Sequence, residues 1–159
     1  MIDGFTRTTA WLLGLTALTA AIAATGPLHD LARSIYPTAP HAPTDPPGVL
    51  ELLAHNAAIA AIPGLLVLVK WRSHSRWRRA GDVLIPTLLA VQAIAIGLGI
   101  GSWPSVLAHL PHLPLELAAL AAGAQIWTDA DEREKTGRWA AITGALLVAA
   151  AFIETGAAP

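Results

Sequence analysis

Glu116 stands where a carboxylate can do chemistry, at the mouth of an apolar segment with two histidines just ahead of it, His109 and His112. The stretch 107–125 reads LAHLPHLPLELAALAAGAQ, and its Pro111 and Pro114 remove backbone donors and bar a regular helix up to about Pro114. A helix starting there puts Glu116 in its first turn, facing the positive end of the helix dipole, while Leu113, Leu115 and Leu117 surround it with hydrocarbon. Two opposing pulls therefore act on its protonation. Because an ionisable group inside a membrane is costly, Glu116 is expected to face a bundle interior with a partner, and His112 four positions earlier is the nearest candidate.

Further polar residues fall in apolar surroundings elsewhere: His55 and Asn56 in LAHNAAIAAIPG, and Glu154 near the end of the chain. Imidazoles and a carboxylate at His55, His109, His112 and Glu116 are the donor types that bind zinc. Their spacing matches no compact ligand motif, so no metal, no cofactor and no catalytic residue is expected. With no cysteine, thiolate chemistry and disulfides are excluded. There is also no nucleophile motif and no zincin histidine pair, which leaves a metal-dependent membrane enzyme as the weakest reading.

The elements that must position these groups are membrane spans. The chain is 54% hydrophobic and 13% charged, with a mean hydropathy of +0.54, which departs from the balance of a soluble domain. Its 159 residues suit a single all-α transmembrane domain, a bundle of five helices over about 8–27, 49–69, 83–103, 107–127 and 139–156. The first run exceeds the usual 7–15-residue core of a signal peptide, so it reads as a retained helix although AIAAT offers a small-residue cleavage site. Residues 29–48 read as a loop, since Pro37, Pro40, Pro43, Pro46 and Pro47 exclude a long helix. Pro63-Gly64 predicts a kink in the second span, and Gly97-x-x-x-Gly101 predicts a close helix crossing in the third, which also contains Gln92.

Residues 70–82, KWRSHSRWRRAGD, read as a basic cytoplasmic turn with Trp71 and Trp77 as interface anchors rather than as a nucleic-acid site. With the N-terminus inside and the C-terminus outside, Arg7, the five basic residues of that turn, and Arg133, Lys135 and Arg138 are all cytoplasmic, leaving only Arg33 outside. Five of the six tryptophans then fall at the inner interface. The same orientation brings Asn56, Glu116 and Glu154, from three different spans, to a similar depth toward the outer side. The bland reading of this cluster is a glue that fixes helix register, and the sharper one is a ligand or metal site.

These residues carry a resemblance to the stage II sporulation protein M family of five-span membrane proteins. In that family a span with an Asn near its outer end, a His-Gly-x-x-Glu element entering a later span, and a terminal Ala-x-Ile-Glu-like element followed by Pro recur in this order. Asn56 is similar to the first, His112 and Glu116 in LPHLPLELAALAAG to the second, and Phe152-Ile153-Glu154 with Pro159 to the third, over 49–159. Leu113 stands where the family has Gly. The resemblance implies a non-enzymatic scaffold or assembly factor in the bacterial cytoplasmic membrane, homo-oligomeric, working with membrane or cell-wall-hydrolase proteins. The alternative is a transporter component with a polar solute or proton site near the outer leaflet, to which a Pro-interrupted span bearing an ionisable group also points.

Overall fold

A computed structural model describes residues 2–26, 28–35, 37, 46–103 and 111–157, the side chains of 2, 46–53 and 154–157 excepted. Among these the chain is all-helical: α1 (Ile2–Thr25), α2 (His29–Ile35), α3 (Pro46–Leu68), a 3₁₀ turn at Trp71–Ser73, α4 (Ser75–Ser102), α5 (Leu113–Thr128) and α6 (Arg133–Ala157). Three of them, α1, α4 and α6, are long and apolar enough to cross a membrane. Their outward faces carry large apolar side chains such as Leu18, Val91 and Phe152, 58%, 54% and 72% exposed, as suits a protein whose solvent is a lipid bilayer.

Charge does not end a helix, and two expectations are corrected on that ground. The basic stretch 70–82 is a turn only as far as His74. Lys70 takes the left-handed conformation (φ 56°, ψ 30°), the chain reverses, and α4 then runs on from Ser75 through Arg76, Arg78, Arg79 and Asp82. Arginine is a good helix former, and no proline interrupts 75–85. Similarly, 29–48 is not wholly a loop. Asp30 in the first turn and Arg33 in the last complement the dipole of the seven-residue α2, which stops short of Pro37. At Pro63-Gly64, α3 continues without interruption, and Gly64 is where α5 comes near: a Cβ there would stand 3.8 Å from Ile126 Cγ2.

The centre of the bundle is its shortest long element. α5 has sixteen residues, about 24 Å at 1.5 Å per residue, short of the roughly 30 Å of a hydrocarbon core. From Ala119 to Trp127 every residue is buried, which is the mark of a helix apolar all round its circumference. α6 packs most extensively against it, with α3, α1 and α4 closing the remaining sides. Its contact with α3 is backbone-close at Gly123, where a Cβ would stand 2.5 Å from the Ala60 carbonyl oxygen.

α1 packs on α4 rather than on a sequence neighbour. Gly97 and Gly101 make the contact, as their spacing predicts: a Cβ on the first would stand 2.6 Å from the Thr16 carbonyl oxygen, and one on the second 2.5 Å from that of Ala20. The end of the bundle that holds the basic residues is tied by tryptophans. Trp127 Nε1 donates to Asp82 Oδ1 at 2.9 Å and Trp139 Nε1 to Asp129 Oδ2 at 2.8 Å, while Arg72 donates to the Trp127 carbonyl at 2.5 Å and pairs with Asp131 at 3.4 Å. At the opposite end the Arg33 guanidinium lies 4.7 Å from the Trp103 ring centre.

Candidate functional site

Two prolines and a histidine set where α5 starts. Pro111 and His112 form a turn, His112 occupies the cap position with helical dihedrals, and Pro114 falls within the first two helical residues, where its missing N–H costs nothing. The Leu115 and Glu116 amides both point at the His112 carbonyl, at 2.9 and 3.2 Å, so Glu116 is fixed in the first turn. On the facing helix α3, Asn56 projects toward it, and its Nδ2 donates to Glu116 Oε1 at 2.5 Å. A hydrogen bond from a neutral amide to a carboxylate joins two helices across a sequence separation of 60 residues.

Around this bond lies a cavity of about 20 Å³ lined by Asn56, Gln92, Glu116 and the apolar side chains Ile59, Ile96, Leu120 and Leu147. A space of that size is above the roughly 10–15 Å³ one water molecule needs, and three polar side chains are enough to hold one. Among the described residues the lining brings one carboxylate and two carboxamides from three helices, α3, α4 and α5, and no basic side chain.

The other candidates are placed differently. The expected pairing of Glu116 with His112 gives way to Asn56, and His112 takes the cap position of α5. Its ring is buried, with the residue 3% exposed and Nδ1 without a hydrogen-bond partner. His55 is exposed, one residue and hence about 100° around the helix from Asn56, on a different face of α3. His109 lies outside the described residues. Glu154 is on α6, but its side chain is outside the description, so its expected place beside Asn56 and Glu116 is as well. Among the described residues no group of three or more His, Cys, Asp or Glu is arranged to hold a metal ion.

Gln92 is the member of the site that the sequence reading left out of the cluster. A count from the tryptophan end would have found it. Asp82 and Trp127 are bonded to each other and so share a level. Gln92 is ten residues along α4 from the first and Glu116 eleven along α5 from the second, about 15 and 16 Å at 1.5 Å per residue. No protein-family model, curated protein or solved structure matches the chain.

Proposed function

We propose that the chain is a non-enzymatic integral-membrane scaffold or assembly factor of the stage II sporulation protein M type, whose polar cluster is a joint between helices. The observation that carries this reading is the Asn56–Glu116 hydrogen bond closing around a space that admits a single water. A solute larger than a water or a small ion has no room there, whereas a register-fixing contact between α3 and α5 needs none. In this reading five helices cross a bacterial cytoplasmic membrane: α1, α4 and α6 as full spans, with α3 and α5 completing the bundle. The N-terminus is cytoplasmic and the C-terminus outside, and the protein self-associates and serves membrane or cell-wall-hydrolase partners.

The orientation has a direct test. Nine of the ten basic residues stand on the inner side when the N-terminus is inside, and the positive-inside rule selects that arrangement. A reporter enzyme active only in the cytoplasm is expected to be silent when fused after Pro159 and active when placed in the turn at 70–74. Activity at Pro159 means an even number of spans and ends the five-span reading.

One observation favours a second reading, a transporter component. Counted from the Trp127 interface, Glu116 lies about 16 Å into a hydrocarbon core of about 30 Å, deeper than the outer-leaflet position expected from the sequence, and ion sites near the midplane next to the start of a short helix are a transporter trait. The water-sized cavity then holds a proton or small cation rather than a structural water. Substitution of Glu116 separates the two readings, as set out in the Discussion.

A further inference from the structure

Toward the basic end, α1, α4 and the end of α5 enclose a second and larger cavity, about 340 Å³ and open on one side. That volume falls in the range of roughly 300–1,000 Å³ typical of small-molecule sites. Its walls are apolar, from Ile85 and Leu89 of α4 among others, and its polar groups are few and placed.

Two of those groups lack a protein partner for what they offer. Gln125 is 7% exposed and borders the cavity, yet its carboxamide makes no hydrogen bond with any described residue. A carboxamide in that state bonds to whatever fills the cavity, water or a guest. Asp82 accepts from Trp127 Nε1 through Oδ1, which fixes the carboxylate, while Oδ2 has no hydrogen-bond partner among the described residues. Among the described residues no basic side chain lines the space, and the one formal charge there is negative. Trp127 already carries the Arg72 guanidinium 5.5 Å from its ring centre, and Trp11, 46% exposed, is the indole open to a newcomer.

A carboxylate and an indole at the edge of an apolar cavity is the chemistry that recognises an organic cation, since the ring face and the carboxylate attract the charge and the walls take the hydrocarbon. We propose that this cavity binds an alkylammonium group, an organic ammonium ion with an apolar body, set between the Asp82 carboxylate and the Trp11 indole with Gln125 hydrogen-bonding its polar substituents. The ammonium comes either from an amine-bearing lipid headgroup at this end of the bundle or from a free amine of similar shape. The site goes beyond the scaffold reading and is independent of it, because none of its residues belongs to the Asn56–Glu116 joint.

The test uses the full chain in nanodiscs of phosphatidylglycerol alone, with hexyltrimethylammonium followed by equilibrium dialysis and empty nanodiscs as the blank. One saturable site per chain is expected, weakened by about tenfold or more in Asp82→Asn and in Trp11→Leu. Asp82→Asn keeps an oxygen that accepts from Trp127 and removes the charge; Trp11→Leu leaves both intact and keeps the wall apolar. Thermal unfolding of each variant, expected at the wild-type temperature, shows that the loss is of binding and not of fold. Binding that is unsaturable, or equal in Asp82→Asn and wild type, overturns the proposal. Repeating the titration in nanodiscs containing phosphatidylethanolamine identifies the source: competition assigns the site to the lipid headgroup, and an unchanged isotherm assigns it to a free amine.

Discussion

Glu116→Gln is expected to leave the protein near wild type in both stability and function, whereas Glu116→Leu is expected to destabilise it by roughly 1–3 kcal/mol. Glutamine keeps the shape and an oxygen to accept from Asn56 Nδ2, and measured hydrogen bonds between membrane helices average only about 0.6 kcal/mol, so losing the charge-assisted part costs little. Leucine removes the acceptor altogether. The Asn56 amide and the Gln92 carboxamide then face a cavity of about 20 Å³ that has lost its carboxylate, and an unsatisfied buried amide carries its full desolvation cost. Thermal unfolding in mild detergent measures the first half of the expectation, and complementation of a deletion strain the second. A Gln variant that is abundant, folded and inactive sinks the scaffold reading, because only a carried proton or cation makes the charge itself indispensable.

The double variant Gly97→Val, Gly101→Val is expected to show the largest loss of stability of any substitution considered, several kcal/mol. Each added Cβ arrives 2.5–2.6 Å from a backbone carbonyl oxygen of α1, and a helix backbone cannot swing aside as a side chain does. The two helices must separate along their whole contact, and overpacking of this kind costs about 1–3 kcal/mol per site and occasionally more. Gly99 and Gly14 are the controls on the same two helices, since nothing lies within 4 Å of a Cβ at either. Alanine there is expected to be neutral or to stabilise by up to about 1 kcal/mol through helix propensity. If the valine pair unfolds no earlier than the alanine pair, α1 does not sit on α4 as described.

Patterns set by local chemistry were legible in the sequence. Uninterrupted apolar runs marked α1, α4 and α6; Pro114 marked the start of α5 and so the first-turn place of Glu116; and Gly97-x-x-x-Gly101 announced a close crossing without naming its partner. What local chemistry does not encode was missed. The start of α4 at Ser75 was hidden because a run of arginines marks an interface yet remains helix-forming. Proximity in sequence pointed to His112 as the nearest partner of Glu116, whereas the bond comes from Asn56 on another helix, the residue that shared depth had already put in the same cluster. Gln92 looked like an isolated polar residue until its depth could be compared with that of Glu116 from a shared tryptophan level. Likewise nothing in the stretch 82–89 or in Gln125 suggested a cavity, since its volume depends on how three helices diverge.

The pairing of α1 with α4 has a consequence for how the protein is made. Thr16 and Gly97 touch, yet roughly 80 residues separate them, which at about 5–20 residues per second of synthesis is a delay of roughly 4–16 s. For that interval α1 leaves the insertion machinery without its partner, and its Thr16, Thr19, Ala20 and Ala23 face is solvated by acyl chains that α4 must later displace. The central helix has the opposite history: α5 emerges when α1, α3 and α4 already exist, so the shortest of the long helices is the one that never has to wait in lipid alone. Slowing translation between 26 and 74 is therefore expected to lengthen the exposure of α1 to membrane proteases while leaving α5 untouched.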